Sequence, residues 1–158
     1  MAEDLSIIHG NKTEQYRSLI PQIKGLLEGE TDLVANMANV VAALKEQFGW
    51  LWVGFYMVKN DELVLAPFQG PVACTRIKKG RGVCGSSWAQ VKTLIVPDVE
   101  KFPGHIACSS LSRSEIVVPI VRNNEVVAVL DVDSTEYDQF NTTDQQYLEE
   151  IISLVPFN

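Results

Sequence analysis

The sequence is short of positive charge. Its 13 lysines and arginines stand against 20 acids, a formal net charge of −7 at pH 7. A nucleic-acid binder concentrates Lys and Arg on one face, so this balance argues against nucleic acid as a partner. The densest basic run, Arg76-Ile77-Lys78-Lys79-Gly80-Arg81, is too short to make such a face. Long apolar runs are missing as well. No stretch approaches the roughly 18 apolar residues of a membrane span, so no membrane partner is expected. The start, Met-Ala-Glu-Asp-Leu, lacks the basic and apolar segments of a signal peptide, and a cytoplasmic location is expected. Histidine occurs twice and cysteine three times. Cytosolic thiols are kept reduced, and an odd count leaves one cysteine outside any set of structural bridges. The cysteines therefore need another explanation. With 158 residues, 46% of them apolar and 21% charged, one ordinary globular domain is expected, able to fold without disulfide or metal.

The first third reads as helical. Tyr16, Leu19, Ile20, Ile23, Leu26 and Leu27 recur at helical spacing within Thr13–Leu27, with Pro21 as a kink or break. Residues 1–12 before it read as a mobile end. Thr31 is a candidate N-cap for a second helix, whose Leu33, Met37, Val40, Val41, Leu44 and Phe48 share a face and which Gly49 ends. The pattern then changes to strand. Trp50–Val58 and Leu63–Phe68 flank a turn at Lys59-Asn60-Asp61-Glu62, and Val72–Ile77 follows as a third strand. Gly80, Gly82 and Gly85 surround Cys84 in a loop that leads into a short helix. Thr93–Val96 is a strand candidate. Pro97–Ser112 has no period, and a loop of that length points to a functional role. Ser114–Val121 and Val126–Asp133 are strands joined at Asn123-Asn124, and Thr142–Leu154 closes the chain as a helix capped by Asn141 or Thr142. The fold class is α+β, a central antiparallel sheet flanked by helices.

Three groups of residues carry chemical potential. Cys74, Cys84 and Cys108 all fall in loop or edge positions, and Cys84 near a helix N-terminus is placed where a thiolate is favoured. The ordinary reading of a free cysteine is a small buried hydrophobe. His105 and Cys108 have chelate-like spacing, but the wide separation of Cys74 from Cys84 is unlike a zinc knuckle, and no metal is called for. Asp131 and Asp133 alternate onto one face of a strand, with Val129 and Val127 continuing that face and Ala128, Leu130 and Val132 opposite. The hairpin at Asn123-Asn124 brings Glu115 toward them. Like charges side by side are costly unless they bind a cation or share a proton. Trp52 and Tyr56 are candidate pocket walls, although strand aromatics more often serve the core.

Several longer motifs occur in order: Leu26-Leu27-Glu28-Gly29-Glu30, Val53-Gly54-Phe55-Tyr56, Pro67-Phe68-Gln69-Gly70-Pro71-Val72-Ala73-Cys74 and Gly80-Arg81-Gly82-Val83-Cys84-Gly85. Val96-Pro97-Asp98-Val99, Phe102-Pro103-Gly104-His105-Ile106-Ala107-Cys108, Ser114-Glu115-Ile116-Val117 and Leu130-Asp131-Val132-Asp133-Ser134 follow. Together they resemble the free methionine-(R)-sulfoxide reductases, stand-alone GAF-domain enzymes, over nearly the whole chain. The resemblance implies a single GAF-like domain and no metal or organic cofactor. It also implies reduction of free methionine sulfoxide. In that scheme Cys108 is the catalytic, sulfenic-acid-forming thiol, Cys74 the resolving thiol and Cys84 an auxiliary one. Glu115, Asp131 and Asp133 match the acids of the substrate pocket, and Trp52 and Tyr56 its aromatic wall. Thioredoxin or a similar dithiol is the expected reductant, and a homodimer is left open. One departure stands out: Ser109 replaces the aspartate that usually follows the catalytic cysteine. The alternative is a non-catalytic GAF module that senses a small ligand or redox state. Such modules ordinarily accompany an output domain, and none is seen here.

Overall fold

The computed structural model describes residues 4–106 and 108–157. Helix α1 (Lys12–Leu27) begins where the Asn11 side chain accepts from the Glu14 N–H. Pro21 neither breaks nor ends it. Pro21 and Arg17 both lie on the exposed side, so the carbonyl that loses its helical donor faces water. Helix α2 (Leu33–Phe48) is capped by Asp32, which accepts from Ala35, and not by Thr31; Gly49 at φ 66° closes its other end. The stretch before α1 is tied to the body at two points, through paired amide bonds of Gln22 with Ser6 and of Gln47 with Ile8.

The strands are β1 (Trp52–Lys59), β2 (Glu62–Gln69), β3 (Arg76–Lys78), β4 (Leu94–Val96), β5 (Ser114–Arg122) and β6 (Glu125–Ser134), with α3 (Gly82–Gln90) between β3 and β4 and α4 (Thr142–Ser153) last. They form one six-stranded sheet in the order β3-β2-β1-β6-β5-β4, antiparallel throughout. The two tight hairpins depend on paired left-handed residues, Asn60 and Asp61 in one and Asn123 and Asn124 in the other. Those dihedrals suit the twist of the flanking strands. The architecture is the expected α+β sheet flanked by helices.

One sheet face packs against α1, α2 and α4. Val53 and Phe55 of β1, Ile116, Val118 and Ile120 of β5, and Ala128, Leu130 and Val132 of β6 meet Tyr16, Leu19, Ile23, Met37, Leu44, Leu148 and Ile151 there. The other face carries Trp52, Tyr56, Val117 and Val129 beneath α3, which contributes Val83, Cys84 and Trp88. Two local expectations change. Val127 leaves the aspartate face, because the β5–β6 register shifts beside Ile120 and Val121 and sends Val126 to the α3 side instead. The third strand is confined to Arg76–Lys78. Residues 72–75 run outside the ladder, where the Tyr56 hydroxyl donates to the Cys74 carbonyl at 2.8 Å.

Candidate active site

The sheet registers assemble the site. Trp52 of β1 stands opposite Asp133 of β6, Asp133 opposite Glu115 of β5, and Glu115 opposite Val96 of β4. Asp131 lies across from Gly54 on one side and Val117 on the other. Residues far apart in sequence thus line one row and its neighbour on the α3 face. Trp52 lies over Gly54, stacked between Tyr56 at 5.9 Å and Phe68 at 5.2 Å, and its indole N–H donates to the Pro71 carbonyl at 3.0 Å. A Cβ at Gly54 would collide with Phe68 and meet the Trp52 ring at 2.5 Å, so only glycine lets the indole lie flat.

Above this floor is a cleft with about 610 Å³ of free space, mouth included. Its base holds Glu115, Asp131 and Asp133; Trp52, Tyr56 and Cys84 wall it; His105, Cys108, Ser109 and Ser112 come from the long loop. Cys74 and Cys108 are joined in a disulfide, with their Cα atoms 5.8 Å apart. That bond links the turn after β2 to the long loop. Seven of the eight site residues expected from sequence line this cleft, and the eighth, Cys74, is tied to it through its bond to Cys108. Ala107 lies outside the described residues. In the long loop the backbone N–H groups of His105 and Cys108 are bonded to the Phe102 and Ile106 carbonyls and so are not free to hold an anion.

The electrostatics are dominated by burial of like charges. Glu115 is pushed up to about 8, first by burial and then by the Asp133 carboxylate. Asp131 is held well above the usual carboxylate range by burial and by Glu115, and Asp133 by burial and by Asp131. Ser112 donates to Asp133 at 3.3 Å and partly offsets this. At neutral pH the cluster therefore keeps protons that exposed carboxyls would have lost. His105 Nε2 stands 3.9 Å from Glu115. Burial lowers the imidazole below its ordinary value, so it faces the acids as a neutral ring and not as a counterion.

Cys84 overturns the expectation of a favoured thiolate. Burial and the charges of Asp131, Glu115 and Asp133 push its thiol well up, outweighing its place in the first turn of α3. His105 and Ser112 are the residues whose place in the pocket the sequence did not reveal. His105 is read there only for its chelate-like spacing with Cys108, and Ser112 carries no motif at the end of an aperiodic loop.

Known proteins share this sequence and fold. The family model described as "GAF domain" matches residues 29–157. GAF domain-containing protein A of Dictyostelium discoideum is 64% identical over 98% of this chain and 99% of its own length. The free methionine-R-sulfoxide reductase of Escherichia coli is 45% identical, over 90% of this chain and 87% of its own. The crystal structure of free methionine-R-sulfoxide reductase from Neisseria meningitidis, in complex with its substrate, superimposes with a TM-score of 0.95 at 54% identity, covering 98% of this chain and 93% of that one. The chain belongs to the GAF-domain family and, within it, to the family of free methionine-R-sulfoxide reductases.

Proposed function

We propose that this protein reduces free L-methionine (R)-S-oxide to L-methionine by thiol chemistry at Cys108. The observation that carries the reading is the Cys74–Cys108 pair at a cleft whose base is a buried cluster of three carboxyls. The Cys108 thiolate attacks the sulfoxide sulfur. The oxygen needs protons to leave that sulfur, and carboxyls that hold their protons at neutral pH can supply them. Glu115 and Asp133 are the candidate donors, since Glu115 is raised to about 8 and Asp133 well above its ordinary range. Over the step the methionine sulfur gains two electrons and Cys108 loses two. The oxygen ends on Cys108 as a sulfenic acid. The Cys74 thiol condenses with it, releasing water and leaving the disulfide. An external dithiol of the thioredoxin kind then exchanges with that disulfide and restores both thiols. The cycle suits a reducing compartment such as the cytoplasm.

Binding follows from the same surfaces. The substrate ammonium pairs with whichever carboxyls of the cluster have lost their protons. Its S-methyl group lies against Trp52, part of the apolar wall opposite the acids. A small cleft of this kind excludes a methionine held in a peptide. Cys84, with its thiol pushed up by burial, is a poor nucleophile and serves at most as an auxiliary thiol.

The test supplies racemic free methionine sulfoxide and dithiothreitol and follows each epimer separately. Loss of the R epimer is expected, and Cys108→Ser abolishes it. No loss of the R epimer would overturn the reading in favour of a non-catalytic sensor module.

A further inference from the structure

We propose that Cys84, Glu115 and Asp131 form a binding site for a thiophilic divalent cation of the zinc and cadmium class at the base of the cleft. One ligand atom from each, a sulfur and two carboxylate oxygens, lies within 4.8 Å of the others, and all three residues are buried. Bonds of about 2.0–2.3 Å to one tetrahedral cation put ligand atoms about 3.3–3.8 Å apart, so the set needs to draw in by no more than about 1–1.5 Å to bind one.

A second observation points the same way. Asp131 Oδ1 is buried without any hydrogen-bond partner, although Asp131 is only 7% exposed. A buried carboxylate oxygen left unpaired is costly, and a coordinated cation is one partner that would satisfy it. The donor set selects the cation. A thiolate with two carboxylates favours zinc or cadmium, whereas magnesium and calcium need six or more oxygen ligands. The open side of the cleft leaves a position for water, so the site has three protein ligands and one exchangeable one. Binding releases to solvent the proton of the Cys84 thiol and any proton held by the two carboxyls. A cation there occupies the place assigned above to the substrate ammonium. Its inhibitory consequence rests on the reductase reading, whereas the binding itself does not.

The test uses the oxidised protein, in which Cys74 and Cys108 are bonded and Cys84 is the free thiol. Cadmium chloride is titrated in while the ultraviolet thiolate-to-cadmium charge-transfer band is recorded. One equivalent should bind, zinc should displace it and excess magnesium should not. Cys84→Ser should lose the band. Asp131→Asn and Glu115→Gln, which keep side-chain volume, should each weaken binding by about 10–100-fold, as losses around a metal commonly do. Absence of the band overturns the proposal. So does a band that persists in Cys84→Ser, or one whose affinity is unchanged in both carboxamide variants, which would show a lone thiol reacting by itself. Because the band is read without turnover, its absence leaves the reductase reading standing. A failure of sulfoxide reduction equally leaves the cation site standing.

Discussion

Glu115 is where function and stability pull in opposite directions. Its pKa in the fold is raised to about 8 by burial and by Asp133, so the folded state holds the proton more tightly than the unfolded chain does. Its contribution to stability is therefore fully present below the ordinary carboxyl value and is lost as pH rises through about 8. Glu115→Gln, always neutral, should flatten the decline of thermal stability between about pH 5 and about pH 9, and should lower kcat/KM by about 10²–10⁴-fold as a general acid is lost. Unfolding scans across that range together with steady-state rates check both. A decline as steep as that of the parent protein would mean that Glu115 does not carry the shift. Cys74 gives a second residue-level expectation. In Cys74→Ser a single turnover should proceed at the parent rate while multiple turnover slows, because the sulfenic acid has lost its resolving partner. Unchanged multiple turnover would assign that role to Cys84.

At the scale of elements, α4 is fixed by an acid unrelated to the cleft. Asp144 closes a capping box with Asn141. The same carboxylate accepts from the buried Tyr16 hydroxyl at 2.6 Å and pairs with Lys12 at 2.5 Å. One side chain therefore joins the starts of α1 and α4. Asp144→Ala removes one half of the capping box, leaves the buried Tyr16 hydroxyl without its acceptor and leaves the part-buried Lys12 ammonium with only the Gln139 carbonyl. It should cost about 3–5 kcal/mol, the range seen when one member of a buried pair is deleted. Urea unfolding measures it. A cost below about 1 kcal/mol would show that water replaces the carboxylate. Helix spacing, Gly49 and the asparagine turns announced these elements in the sequence. The choice of Asp32 over Thr31 as cap and the uninterrupted passage of α1 through Pro21 did not show. The passage through Pro21 turns on which side of the helix faces solvent, and that depends on the packing of other elements.

Considered as a whole, the molecule ties its least regular parts together with the Cys74–Cys108 bond, which closes a separation of 34 residues. On chain-entropy grounds a loop of that size is worth about 3–4 kcal/mol. Dithiothreitol should therefore lower the denaturant midpoint of the oxidised protein and leave that of Cys74→Ser unmoved. Equal midpoints with and without dithiol would mean that the bond closes without stabilising the fold, as strain or residual unfolded structure can cause.

The sequence by itself determined the element types, the antiparallel α+β class and the face of the sheet on which the three acids meet. The hairpin through Asn123-Asn124 and the period of two in β6 already place Glu115, Asp131 and Asp133 on one side. Only the tertiary structure decided what these groups are chemically. Sequence position put Cys84 at a helix start, where a thiolate is favoured; burial beside Asp131 and Glu115 makes it a reluctant acid instead. It also decided that His105 and Ser112 reach the acids and that Asp131 keeps an oxygen without a partner. Spacing along a chain reports which groups can meet. The charge and proton each one carries depend on the solvent removed around it, and that is set only when distant segments close over the sheet.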